Sequence, residues 1–324
     1  MKKQILAGVL SATMIVGMGG VSVFAADGAD DKTYNIGICQ LVQHEALDAA
    51  TQGFKDAITE ELGDKVTFDE QNAQGDSNTC STIITDFVSD GVDLILANAT
   101  TALQCSAAAT STIPILGTSV TDYATALEID DWTGSTGRNI SGTSDLAPLD
   151  EQEAMIKELF PDVKTVGILY CSAEPNSKYQ ATQIEAALDA DGIAYKEYTA
   201  SDSNDITSVV QTAVSEVDVI YIPTDNTMAN NTETINNIAL PAGIPIIAGE
   251  EGICSGCGVA TLSISYYDIG YTAGQMAYDI LVNGADITTM EIKTAPQVTK
   301  EYNADICSQL GITPPDDYVA IETE

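Results

Sequence analysis

Few residues of this chain have types and positions that could do chemistry. Asp225 stands in the turn Pro223-Thr224-Asp225-Asn226, directly after the apolar run Val217-Asp218-Val219-Ile220-Tyr221-Ile222. Such a run is what a strand buried on both faces looks like. In open α/β sheets small ligands sit at the carboxyl ends of these strands. Thr224, Asp225 and Asn226 are therefore placed to touch a small molecule, and a carboxylate there either pairs with a ligand ammonium or caps the next helix. His44 is the only histidine. A catalytic base would need a nucleophile and an orienting carboxylate beside it, and no G-x-S-x-G pattern supplies one. His44 reads instead as a polar residue at the start of the first helix, beside a cleft, and no enzyme is expected. Arg138 is the only arginine. Bidentate guanidinium clamps are thus nearly absent, which argues against a phosphorylated ligand. A ligand carboxylate would be held by backbone N–H groups at helix starts and by hydroxyls.

The seven cysteines are scattered. Cys254-Ser255-Gly256-Cys257 has C-x-x-C spacing but reads as a glycine-rich turn, so a thioredoxin-like role is not expected. A local disulfide and a pair of free thiols both remain open. One C-x-x-C and a distant histidine do not make a metal site, and neither metal nor cofactor is expected.

The elements that must position these residues occur twice. Val92-Asp93-Leu94-Ile95-Leu96-Ala97 and the turn Asn98-Ala99-Thr100-Thr101 repeat the layout around Asp225. Asp76-Ser77-Asn78 pairs with Asp202-Ser203-Asn204, Ile36-Gly37-Ile38 with Val166-Gly167-Ile168, and Ile113-Pro114-Ile115 with Ile244-Pro245-Ile246. Two similar Rossmann-like α/β lobes with parallel sheets follow, and a cleft between facing strand ends is where small ligands bind. Residues 34–146 form the N-terminal lobe, with about 267–288 crossing back to it. Residues 147–266 and about 289–324 form the C-terminal lobe. Thr100 and Thr101 would hold a carboxylate at a helix start, or simply cap it. Ser119, Asp122, Ser144, Asp145 and Glu250 lie in strand-end turns on the cleft side. Gln40, Leu41 and Val42 lead to His44 along the first-lobe wall. Tyr170 and Tyr266 are candidates to stack on an aromatic ring, with Ser172 and Asn176 in the turn after Tyr170.

The composition bounds the partners. The chain has 324 residues, with 12 Lys and Arg against 48 Asp and Glu, and a net charge of −36. Nucleic-acid binding is excluded by the lack of phosphate contacts, and so is attraction to an anionic membrane. Residues 1–25 read as an export signal: Lys2 and Lys3, an apolar core, and Val23-Phe24-Ala25 at the cleavage site. Residues 26–33 read as an acidic leader. No cysteine lies near the cleavage site to carry a lipid; the first is Cys39.

Several motifs in order carry a resemblance. They are Ile36-Gly37-Ile38-Cys39-Gln40, His44-Glu45-Ala46-Leu47-Asp48 and Gln71-Asn72-Ala73-Gln74-Gly75-Asp76. Val120-Thr121-Asp122, Gly142-Thr143-Ser144-Asp145, Pro223-Thr224-Asp225-Asn226 and Tyr266-Tyr267-Asp268-Ile269-Gly270 complete the set. The chain resembles the substrate-binding proteins of ABC importers in the tryptophan/tyrosine-type group, over residues 34–315. The resemblance implies a type I periplasmic-binding-protein fold closing by a hinge. It also implies capture of a small solute outside the cell, usually an aromatic amino acid, and delivery to a membrane permease. It favours ligand contact for Asp225. A monomer is expected. A sugar- or nucleoside-binding protein, or a sensor partner, on the same fold is the alternative.

Overall fold

The computed structural model describes residues 32–321, so the expected export signal and most of the acidic leader lie outside the described residues. In the first lobe, β1 (Tyr34–Gln40), α1 (Glu45–Leu62), β2 (Val66–Asn72), α2 (Ser77–Asp90) and β3 (Leu94–Asn98) follow one another. Then come α3 (Thr100–Ala109), β4 (Ile115–Thr118), α4 (Tyr123–Ala126) and β5 (Ile140–Ser144). The second lobe repeats the alternation with α5 (Leu149–Leu159), β6 (Thr165–Cys171), α6 (Pro175–Asp191), β7 (Ala194–Ala200), α7 (Ile206–Ala213) and β8 (Val219–Ile222). It continues through α8 (Asn226–Ala229), α9 (Thr232–Ala242), β9 (Ile246–Ala248), α10 (Glu251–Cys257) and β10 (Ala260–Ser263). The remainder is α11 (Tyr266–Leu281), β11 (Lys293–Thr294), β12 (Thr299–Tyr302), α12 (Ala304–Leu310) and β13 (Val319–Ala320).

The sheets run β11-β5-β4-β3-β1-β2 and β13-β12-β10-β9-β8-β6-β7. Their pairings are parallel except that of β10 with β12. Each sheet therefore reverses its winding at the same place, between β1 and β3 and between β6 and β8, where a doubly wound fold opens a crevice. The central strands β3 and β8 are buried throughout, as their apolar runs require. The repeated Val-Asp pair has a physical role. Asp93 Oδ2 accepts the Asn35 N–H at 2.9 Å, and Asp218 Oδ2 accepts those of Lys164 and Thr165 at 2.9 Å, so each pins the start of its neighbour strand.

Helix ends follow local chemistry. Asp76 caps α2 by accepting from Thr79 N, and Gly91 ends it in the left-handed region at φ 69°. The matching Asp202 does not cap α7; its Oδ1 closes a turn onto Asn204 N at 2.8 Å, two residues further from the helix. Cys254 and Cys257 lie in α10 and not in the expected turn, because Glu250 caps that segment into a helix. All seven cysteines are free thiols.

The chain crosses between lobes three times: after β5, before α11 and after β11. Helix α11 packs on α1 so closely that a Cβ at Gly270 would lie 2.0 Å from the Ala50 carbonyl oxygen. Ala273, Met276 and Ala277 of α11 share one core with Ile36, Phe54 and Leu96 of the first lobe. Strand β11 then extends the first sheet beside β5. The return to the second lobe therefore comes after Thr294, later than the expected residue 289, because two residues suffice to add this edge strand.

Candidate functional site

The strand-end turns of both lobes meet around a cavity. The first lobe contributes His44, Leu47, Ser119 and Asp145; the second contributes Asn176, Thr224, Asp225, Asn226, Ala229 and Glu250; Tyr266 comes from the crossing into α11. The enclosed space is about 10 Å³, room for about one water-sized sphere. A larger groove of about 410 Å³, also between the lobes, shares Asn226 and reaches Leu41, Val42, Thr101, Gln104 and Glu174. His44 Nε2 lies 3.2 Å from Asn226 Oδ1 across the lobes. Burial lowers the His44 pKa, against the pull of the Asn226 hydrogen bond and of Glu174 and Asp48, which favours the neutral ring.

The electrostatics are one-sided. No lysine or arginine lines the cavity among the described residues, whereas Asp145, Asp225 and Glu250 all do. Asp145 is 4% exposed. Its Oδ2 accepts the Tyr266 hydroxyl at 3.0 Å, and its Oδ1 has no hydrogen-bond partner. Burial pushes its pKa up to about 6, against the opposing pull of the Tyr266 hydroxyl. Glu250 is 2% exposed. Burial pushes its pKa up to about 7, although the N–H groups of Gly252 and Ile253 donate to it at 2.7 and 2.5 Å. Asp225 is 1% exposed. Its oxygens accept Met228 N at 2.8 Å and Cys171 N at 2.7 Å. Burial first, and the Glu174 carboxylate second, raise its pKa. Asp225 thus caps α8 and also faces the cavity.

Two further residues lining the same space carry a buried polar atom without a partner, Ser119 Oγ and Asn176 Oδ1. The Asn176 amide is fixed by its donor side, which reaches Thr224 O at 3.1 Å and Glu174 Oε2 at 3.3 Å. Ser119 holds a left-handed backbone at φ 55°, and Ala99, before α3, holds φ 98°. Both are costly for residues with a Cβ. The first turn of α3 has no side-chain cap, so its N–H groups are available to an anion. Thr101 lies there on the larger groove, and Thr100 is buried behind it.

Other candidates from the sequence lie elsewhere. The amide of Gln40 is engaged by Val42 O, Asp48 Oδ1 and Thr51 Oγ1 and braces the wall from inside. Leu41 and Val42 form the wall itself, on the larger groove. Asp122 caps α4 through Thr125 N. Ser144 Oγ is bound to Thr121 O at 2.8 Å. Exposed Ser172 bonds Ala200 O. Tyr170 does not reach the cavity. Successive residues of a strand face opposite ways, so Tyr170 joins Ile168 and Met155 in the core on one face of β6, and its hydroxyl donates to Glu197.

Glu174 is the residue sequence reasoning missed. Its carboxylate takes the N–H groups of Asn226 and Thr227 at 3.0 and 2.8 Å, the Asn226 amide at 2.7 Å and the Thr227 hydroxyl at 2.7 Å. It ties the turn after β6 to the turn after β8 and faces the larger groove. Its signal was an acid immediately before Pro175, where a helix starts.

Two doubly wound lobes, hinged by three crossings, with polar strand ends closing on a cavity, define a two-lobed type I periplasmic-binding-protein fold. The description "ABC transporter substrate binding protein" matches residues 35–324. A tyrosine-binding protein of Clostridioides difficile is 34% identical over 316 residues, covering 95% of this chain and 91% of that protein. The ABC domain from Streptococcus pneumonia in complex with L-Trp superposes with a TM-score of 0.84 at 32% identity, covering 88% of this chain and 97% of that one. The ligand-free, open structure of a substrate-binding protein with adhesive properties from Clostridium difficile gives 0.69 at 35% identity, covering 90% and 100%. The chain belongs to the family of ABC transporter substrate-binding proteins.

Proposed function

We propose that this protein captures an aromatic amino acid (tryptophan, tyrosine or phenylalanine) outside the cytoplasm and hands it to an ABC permease. The observation that carries the reading is the convergence of unpartnered buried polar atoms, above all Asp145 Oδ1, on an interlobe cavity rich in carboxylates. Buried polar groups normally have partners, and an ammonium supplies one here. Asp145 takes the ammonium, with Asp225 and Glu250 adding negative potential. Ser119, Thr101 and the open first turn of α3 take the carboxylate. The side chain lies toward Leu41 and Val42, with Tyr266 on the opposite side. The names of the two relatives, one tyrosine-binding and one holding L-Trp, support this ligand class. A cavity of about 10 Å³ admits such a ligand only if the lobes part, which the three crossings permit.

The test is a thermal-shift screen against all amino acids, several nucleosides and several sugars. A ligand at about 100 times its Kd adds about 2.7 kcal/mol, a rise of a few degrees. A rise with aromatic amino acids alone is expected. A rise only with sugars or nucleosides would keep the fold and overturn the ligand.

A further inference from the structure

Away from the cavity, three cysteines of the first lobe form a path from its surface to its core. Cys39 is the penultimate residue of β1, and Cys80 sits in the first turn of α2; both are fully buried. Their Sγ atoms are 3.4 Å apart. Cys105, on α3, is half-buried and packs against the core cluster that holds Cys39 and Cys80. The Ser81 hydroxyl donates to its Sγ at 3.4 Å. Hydrogen bonding among such thiols contributes little to stability, so packing alone does not require three of them in line.

We propose that Cys39, Cys80 and Cys105 form a thiol relay that takes up oxidising equivalents from a small disulfide and stores them as a Cys39–Cys80 disulfide. The chemistry balances. The Cys105 thiolate attacks one sulfur of RSSR and expels RS⁻. Cys80 attacks the Cys105 sulfur of the mixed disulfide and expels the second RS⁻. Cys39 then attacks the Cys80 sulfur, and Cys105 leaves as a thiolate and regains a proton. Two protein thiols are oxidised, one RSSR is reduced to two RSH, and the two protons released by the protein pass to the RS⁻ groups. Only Cys105 is open to the first attack, because the other two sulfurs are sealed from solvent. The new bond needs the Cys39 and Cys80 sulfurs to close from 3.4 Å to about 2.05 Å, a small side-chain movement. The Cys105 hydrogen bond pulls the Cys80 thiol down, but the Cys39 hydrogen bond and burial outweigh it and push Cys80 up to about 12; the Cys80 thiol and burial likewise raise Cys105. Exchange is therefore slow at neutral pH and faster in mild alkali.

The site ties β1 to α2 just before Gln40, Leu41 and Val42, so oxidation braces one wall of the larger groove. The experiment treats the exported form with hydroxyethyl disulfide at pH 8.5, blocks remaining thiols and maps peptides by mass spectrometry. The expected product links the Cys39 and Cys80 peptides and unfolds several degrees higher than the reduced protein, since the bond closes a long loop. Cys105→Ser should slow its formation at least tenfold without changing the final linkage. Cys80→Ser should stop the reaction at a mixed disulfide on Cys105. Cys39 remaining alkylatable while Cys254 and Cys257 become linked would overturn the proposal. So would a rate of Cys39–Cys80 linkage indifferent to Cys105→Ser. The first result needs no variant and so does not depend on the variants folding.

Discussion

Asp145→Asn should move ligand affinity and stability in opposite directions. The asparagine carbonyl can still accept the Tyr266 hydroxyl that now sits 3.0 Å from Oδ2, so geometry is kept and only charge is lost. Burial raises this carboxyl from its ordinary 3.8 to about 6. The folded state therefore binds more protons than the unfolded state between these values. Stability falls as pH rises from about 4 to 6 and stays lowered above. At 1.36 kcal/mol per unit, the penalty at pH 7 is on the order of 3 kcal/mol. The asparagine removes it, so the ligand-free variant should be more stable than the parent by up to about that amount at pH 7, and no more stable at pH 3.5. If Asp145 receives the ligand ammonium, removing its charge should weaken binding by about 2–5 kcal/mol, or at least about 30-fold in Kd. Urea titration at the two pH values and calorimetry with tryptophan and tyrosine measure both effects. Affinity within twofold of the parent would remove Asp145 from the ligand, whatever the stability does.

Two further outcomes follow from the same geometry. Asp145 and Glu250, with pKa values raised to about 6 and about 7, must be ionised to hold an ammonium; affinity should weaken steadily from pH 8 to 5, with protons released on binding near pH 6.5. Calorimetry in buffers of different ionisation enthalpy reads this, and a flat affinity with no proton release would refute it. Gly270→Ala places a Cβ 2.0 Å from the Ala50 carbonyl oxygen, so α1 and α11 must separate; the urea midpoint should fall by the equivalent of about 1–3 kcal/mol, and an unchanged midpoint would show that this helix contact is not tight.

The lobes were legible because their central strands are uninterrupted apolar runs and their connections carry strong stop signals such as Gly91 and Gly192. The same uniformity hid the faces. In a strand buried on both sides, such as Leu169-Tyr170-Cys171, no polar alternation tells which residue points to the core, and Tyr170 was assigned to the cleft. Cys254 and Cys257 were misread because Gly252 and Gly256 look like turn residues, yet one capping carboxylate, Glu250, folds the segment into a helix. Glu174 escaped because its partners, Asn226 and Thr227, are more than fifty residues away, and no local pattern announces a pairing of two distant turns. A strand near Met290–Thr294 is legible, but the two residues of β11 carry no pattern that says which sheet it joins.

The charge distribution gives the hinge its direction. Closing the lobes brings Asp145 of the first lobe against Asp225 and Glu250 of the second, all nearly sealed from water and, among the described residues, with no lysine or arginine beside them. Desolvation opposes that arrangement, as the raised pKa values of all three record. Against this stand direct cross-lobe bonds as modest as that of His44 to Asn226. A ligand shifts such an equilibrium only by the difference in its interaction with the two forms. A buried ammonium meets that condition, because only the closed form surrounds it with carboxylates from both lobes. A neutral polyol of the same size would satisfy Ser119 and Asn176 but leave the desolvated carboxylates uncompensated, and would have to enter together with protons.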